Sequence, residues 1–176
     1  MKFNKIALTA AVMLATISGV QAADQGNGVV KFAGSIVDAP CAISNDSSDQ
    51  TIELGTIANV ALADGGNSAP KPFEIRLEKC SLDTAKTVKT TFNGAAGVGG
   101  LLAITGDTAK GAGVALTDGD GNSIQLGTAT TGKIINPGDS EVTLAFNASL
   151  KGNGGNVSTI VPGEFTSVAN FMLSYN

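Results

Sequence analysis

From Pro72 to Glu78 the chain alternates strictly, with Phe73, Ile75 and Leu77 on one side of an extended backbone and Glu74, Arg76 and Glu78 on the other. Successive side chains of a strand point to opposite faces, so a segment of this kind buries one face and wets the other. The pattern returns at Lys86 to Phe92 (Val88, Thr90, Phe92), at Val142 to Leu150 (Val142, Leu144, Phe146, Ala148, Leu150) and in the closing stretch (Ala169, Phe171, Leu173, Tyr175). Weaker strands are read at Val29 to Ile43, Thr51 to Leu54, Val114 to Thr117 and Ser123 to Leu126. Turn-forming clusters separate them: Asp64 to Asn67, Asn93 to Gly100, Asp118 to Gly121, Pro137 to Asp139 and Gly152 to Gly155. Roughly seven or eight short strands with frequent turns predict an all-β antiparallel sandwich, immunoglobulin-like but without the tryptophan of antibody domains.

The only other strong pattern lies at the start. Lys2 and Lys5 precede an apolar run from Ile6 to Ile17, and Val20-Gln21-Ala22 supplies a cleavage site, so residues 1–22 read as a secretory signal peptide. The apolar run is shorter than the roughly 20 residues a spanning helix needs. The 154 residues after Ala22 are expected to fold as one domain. Lys2 and Lys5 leave with the signal, so 9 of the 11 basic side chains face 15 acidic ones and the exported chain carries a formal −6. Such a surface repels phosphate backbones, which argues against nucleic acid as a partner.

Export also sets the state of the two cysteines, Cys41 and Cys80, which are expected to pair in an oxidising compartment. Shared metal ligation is the weaker reading, because the chain has no histidine and no third cysteine. No cofactor is expected. Asp118, Asp120 and Asn122 have the spacing that opens a calcium loop. However, Ser123 stands where the turn glycine belongs and Ala129 where a closing glutamate belongs, so a tight turn is the simpler reading. Gly94 to Gly100 lacks the Gly-Lys-Ser/Thr ending of a phosphate loop. Without histidine, hydrolysis would need a Ser-Lys dyad or paired carboxylates, and neither is marked; catalysis is not expected. Lys86, Lys89 and Lys133 read as surface charge, and sequons at Asn45, Asn147 and Asn156 are short enough to arise by composition.

Just past the signal, Gly28, Val30, Phe32 and Gly34 lie on one side of an extended segment and Val29, Lys31 and Ala33 on the other. This is either an ordinary first strand or an arm that adds itself to another molecule's sheet.

Several landmarks occur in order: Gly28 to Gly34, Val37-Asp38-Ala39-Pro40-Cys41, Leu77-Glu78-Lys79-Cys80, and the ending Gly163 to Asn176 with Tyr175 penultimate and Gly163 fourteenth from the end. Together they resemble the structural subunits of bacterial chaperone–usher fimbriae, particularly the major pilins of P-type and type 1 fimbriae. The resemblance implies a sandwich lacking its last strand, with residues 23–33 as a donor-strand arm (Gly28, Val30, Phe32) and residues 34–176 as the pilin domain. It implies an acceptor groove along the C-terminal motif of Gly163, Phe171, Leu173, Tyr175 and Asn176. It further implies head-to-tail homopolymerisation with copies of the chain and with other fimbrial subunits, export by a periplasmic chaperone and an outer-membrane usher, and a place at the cell surface where the fibre supports adhesion to a host. A minor adaptor subunit is the alternative within the same family.

Overall fold

A computed structural model describes residues 28–176. The proposed signal peptide, and residues 23–27 of the arm, lie outside the described residues. The chain divides into two compact units, Met1–Ile36 and Val37–Asn176. Of the first, Gly28 to Ile36 is described: it forms no strand and its side chains are exposed.

The second unit is an antiparallel β-sandwich. Its strands are β1 (Ala42–Ile43), β2 (Lys71–Glu78), β3 (Lys86–Gly94), β4 (Leu102–Ala103), β5 (Ala112–Asp118), β6 (Ser123–Ile124), β7 (Lys133–Ile135), β8 (Glu141–Gly152) and β9 (Ala169–Tyr175). One sheet runs β1-β2-β8-β5-β4, with β6 also on β5, and the other runs β7-β3-β9. The four strongly alternating segments all form strands, and the apolar rows of β2, β3 and β8 supply most of the buried core. Ile75 and Leu77 on β2, Val88 and Phe92 on β3, and Val142, Leu144, Phe146, Ala148 and Leu150 on β8 are all buried. Edge-to-face aromatic contacts tie the sheets together, with Phe92 of β3 at 5.0 Å from Phe146 of β8 and 6.2 Å from Phe73 of β2. These geometries follow from the quadrupoles of the rings.

Three of the weaker strand expectations are corrected. Val29 to Ile43 is a strand only at Ala42–Ile43, because backbone groups need a partner strand and the earlier residues have none among the described residues. Thr51 to Leu54 forms no ladder; beside β2 the link is a side chain, Gln50 Nε2 donating to the Glu74 carbonyl at 3.1 Å. Ser123 to Leu126 pairs only through Ser123 and Ile124 before the chain turns away. Two short strands that alternation does not mark also appear. β4 has two residues and β7 three, too few to show a period, yet Ile135 of β7 is wholly buried.

A one-turn helix, α1 (Asn45–Ser48), lies against β2, where the buried Ser47 hydroxyl accepts the Arg76 N–H at 2.9 Å. Beyond Glu78, Lys79 takes the left-handed conformation (φ 55) and breaks the ladder, so that the next residue, Cys80, is disulfide-bonded to Cys41. The bridge joins the entry to β1 to the exit from β2, as export of the cysteines predicts. It spans 39 residues. Replacing both cysteines by serine is expected to lower the unfolding free energy by about 4 kcal/mol in the loop-closure account, read as a fall in denaturant midpoint under oxidising conditions.

Candidate functional site

The two edges of β3 are both covered. On one side β7 pairs from Lys86 to Val88. Past it the chain at 127–130 takes over: Thr90 N–H donates to Thr130 Oγ1 at 3.1 Å, Thr130 N–H to the Thr90 carbonyl at 2.9 Å and Gly127 N–H to the Phe92 carbonyl at 2.8 Å. On the other side β9 pairs along its whole length, with Val88 opposite Tyr175, Thr90 opposite Leu173 and Phe92 opposite Phe171. β9 itself has only one neighbour. It ends the sheet, and among the described residues no strand pairs with its outer edge.

Burial registers that missing neighbour directly. The inward row of β3 is closed off, with Val88 and Thr90 each 1% exposed and Phe92 3%. The residues directly opposite on β9, namely Phe171, Leu173 and Tyr175, pack against the core but stay only half-buried. An interior strand of a sandwich has its inward row covered from both flanks, whereas this one is covered from one. Ile104 and Phe165, brought together where Thr105 pairs with Thr166, are also half-buried against the core. The result is an edge that presents unpaired N–H and C=O groups beside a row of apolar side chains, which is the template for an incoming strand.

The chain end is fixed into this edge. Asn176 N–H donates to the Thr87 carbonyl at 3.1 Å and the Asn176 backbone oxygen accepts the Thr87 N–H at 2.8 Å, which carries the ladder one residue past Tyr175. Partial burial pushes the Tyr175 phenol above its ordinary value of 10.0.

Gly163 lies six residues before β9, outside the ladder. A Cβ there would meet the Ala109 backbone nitrogen at 2.7 Å, with Thr108 Oγ1 closer still. Its neighbour Val161 bridges to Lys110, and Thr108 Oγ1 donates to the Pro162 carbonyl at 3.0 Å. Glycine at this position is therefore explained by backbone-to-backbone packing on the approach to β9. Spacing from the chain end marks the residue but does not reveal that contact.

On the first unit, Val30 and Phe32 are 74% and 92% exposed, and a Cβ on Gly28 would meet nothing within 4 Å. The other candidates resolve into local structure. The Asp118 carboxylate accepts the N–H groups of Asp120 and Asn122 at 3.0 and 2.8 Å and the Asn122 amide at 2.9 Å. These bonds, the Asn122 side chain's foremost, hold its pKa below the usual value. Its oxygens thus organise a tight turn. Gly94 closes β3, and Val98–Gly100 makes a short 3-10 turn. Asn147 Nδ2 donates to the Asp118 carbonyl at 3.4 Å, Asn156 Oδ1 accepts the Ser158 hydroxyl at 2.6 Å, and Lys133 Nζ donates to the Thr143 carbonyl at 3.0 Å.

A disulfide-bonded sandwich whose distinctive site is an unpaired apolar edge belongs to the class of assembling structural subunits. Comparison with known proteins gives the family. Residues 30–176 match the family described as Fimbrial protein. The chain is 51% identical to the Fimbria A protein of Serratia marcescens over 99% of both chains, and 45% identical to the Major MR/P fimbria protein of Proteus mirabilis, again over 99% of both. Its fold is similar to the crystal structure of the P pilus rod subunit PapA, with a TM-score of 0.66 and 27% identity, covering 78% of this chain and 100% of that one. The chain belongs to the fimbrial protein family: it is a structural subunit of a surface fimbria, and not an enzyme.

Two outcomes test this geometry. Tyr175 is the single tyrosine and there is no tryptophan, so tyrosinate absorbance reports it alone. Its titration midpoint is expected above 10.0 in the folded subunit. Because the folded pKa is the raised one, the contribution to stability is complete below 10.0 and is lost as pH rises through the folded value. Gly163→Ala is expected to destabilise the subunit by about 1–3 kcal/mol through overpacking against Thr108 and Ala109, measured by denaturant unfolding.

Proposed function

We propose that this chain polymerises head-to-tail by strand donation, residues 23–33 of one subunit running along the open edge of β9 in the next. The observation that carries the reading is the contrast across one ladder, with the inward row of β3 sealed and the facing row of β9 half-open. The arm has the complementary form. Val30 and Phe32 alternate on one face and are exposed, so seating them against Phe171, Leu173 and Tyr175 would bury both, for roughly 1.5–3 kcal/mol each. Backbone bonds to the free edge set the register, and Gly28 lets the two backbones approach closely. The donor surface and the acceptor edge are different patches of the molecule. Such contacts are heterologous and extend without closing, which makes an open fibre.

An exposed edge of this kind is a hazard before assembly, since unpaired strands and apolar surface invite aggregation. A periplasmic chaperone that lends a strand to the same edge answers that hazard, and basic side chains on it would hold the Asn176 carboxylate. An outer-membrane usher would then exchange the lent strand for the next arm. Incorporation as the principal shaft subunit is favoured over a minor adaptor by the similarity, along nearly the whole chain, to a major fimbria protein.

Deletion of residues 23–32 is expected to leave periplasmic export intact and to abolish incorporation into fibres, scored by surface shearing and immunogold microscopy. Normal surface fibres from that chain would overturn strand donation. Phe32→Asp should act nearly as strongly, because it carries an unpaired charge into an apolar groove; fibres of unchanged heat and denaturant resistance would count against the assigned pocket.

A further inference from the structure

Asparagine followed by glycine occurs at three places in the chain: Asn27-Gly28, Asn93-Gly94 and Asn153-Gly154. Such a pair carries its own chemistry. With no side chain on the second residue, its amide nitrogen can reach the asparagine carboxamide and displace ammonia, provided the backbone between them is free to turn. Asn27 lies outside the described residues, so the structure bears on the other two, and it treats them oppositely.

Asn93 sits in β3, with Asn170 of β9 opposite it and Ala169 opposite Gly94. The ladder holds both residues extended, and a Cβ on Gly94 would meet the Val168 carbonyl at 2.7 Å. The turn that brings the Gly94 nitrogen onto the Asn93 side chain therefore waits for the end of the ladder to open. Asn153 lies just past the end of β8, and both it and Gly154 are exposed. The chain is fixed on either side. Gly152 N–H donates to the Gly66 carbonyl at 3.0 Å, Asn153 N–H donates to the Gly111 carbonyl at 2.9 Å, and the Gly155 carbonyl accepts the Asp64 N–H at 2.8 Å. Between these anchors the Gly154 N–H and the Asn153 carboxamide have no hydrogen-bond partner among the described residues. Gly154 has φ 90, and a Cβ there would meet nothing within 4 Å. Other exposed asparagine side chains are occupied: Asn122 donates to the Asp118 carboxylate, Asn136 to that of Asp139, and Asn156 Oδ1 accepts the Ser158 hydroxyl.

We propose that Asn153-Gly154 is a site of spontaneous asparagine deamidation in the folded subunit. The Gly154 nitrogen gives its proton to water or hydroxide and attacks the Asn153 Cγ. The new carbon–nitrogen bond closes a five-membered succinimide, and the bond to the side-chain nitrogen breaks as ammonia leaves with a proton. Water then opens the ring at either carbonyl and leaves aspartate or isoaspartate. The sum is one water consumed and one ammonia released, with no enzyme, metal or oxidant. Each event adds a carboxylate to a chain that is already acidic. Isoaspartate also adds one backbone atom to the link between the anchors at Gly152 and Gly155. β8 ends at Gly152, before that link, so the sandwich is retained. A subunit at the cell surface is out of reach of cytoplasmic turnover and keeps the change, so the acidic fraction of a fibre rises with its age. Nothing in this chemistry depends on strand donation.

The test incubates intact surface fibres at mildly alkaline pH in water enriched in heavy oxygen, alongside the same chain unfolded in denaturant. Trypsin cuts after Lys31, Lys89, Lys110 and Lys151, so Asn27, Asn93 and Asn153 fall in separate peptides, and mass spectrometry with fragmentation reads each one. In fibres Asn153 is expected to lose its amide and take up heavy oxygen roughly tenfold or more faster than Asn93, whose reaction requires the ladder to open. In the unfolded chain the two rates should converge. Asn153→Gln, which would have to close a larger ring, is expected to remove the acidic form of the peptide 152–176 and to leave fibre yield unchanged. Fibres in which Asn153 keeps its amide while the unfolded chain loses it would overturn the proposal. Equal rates at Asn93 and Asn153 in the fibre would overturn it too, as would an acidic peptide 152–176 that persists in Asn153→Gln.

Discussion

Backbone amides and carbonyls on the outer edge of β9 that find no partner strand among the described residues set the terms for the rest of the molecule. A sandwich satisfies its interior hydrogen bonds by laying strands side by side, and here that process stops one strand short of sealing the small sheet. Everything upstream is built soundly: the Phe73, Phe92 and Phe146 rings interlock, Ile75 and Ile135 are wholly excluded from solvent, and no buried side-chain nitrogen or oxygen among the described residues lacks a partner. The half-open row along β9 thus does not reflect a loosely packed fold.

The disulfide and the chain end limit how that edge is held. Cys41–Cys80 joins the two ends of the β1-β2 pair, so the entry to β1 is anchored to the strand that carries Ile75 and Leu77. The last residue is locked to Thr87 by two backbone bonds, so β9 remains extended to its final residue. A frayed terminal strand would blur the register of the β3-β9 ladder. Gly163 contributes from a distance, by letting the chain pass close to Thr108 and Ala109 on its way to β9.

Charge is distributed by sheet as well as by sign. The three strands of the small sheet are free of carboxylates, while the large sheet and the segment beside it carry Glu74, Glu78, Asp118, Glu141, Asp46 and Asp49. Strand order alone cannot produce that division. It arises because β3, β7 and β9, far apart in the chain, each lack acids and are brought together by pairing.

The sequence by itself determined the four long strands, since a period of two with large apolar residues leaves an extended backbone only one way to bury them. It also determined the partner of each cysteine and the membership of the family, through ordered landmarks that need no third dimension. Residues 29–41 and 51–54 read as strands and are not, because alternation signals a face to be buried without saying whether a partner is present to pair with. β4 and β7 were illegible because two or three residues carry no period, and Ile135 owes its burial to neighbours contributed by distant strands. Only the tertiary structure decided that β9 ends a sheet, that the row facing Val88, Thr90 and Phe92 stays half-open, and that Gly163 belongs to packing outside the edge. Each of these depends on what lies beside a residue in space, which pairing across the chain sets and local sequence does not.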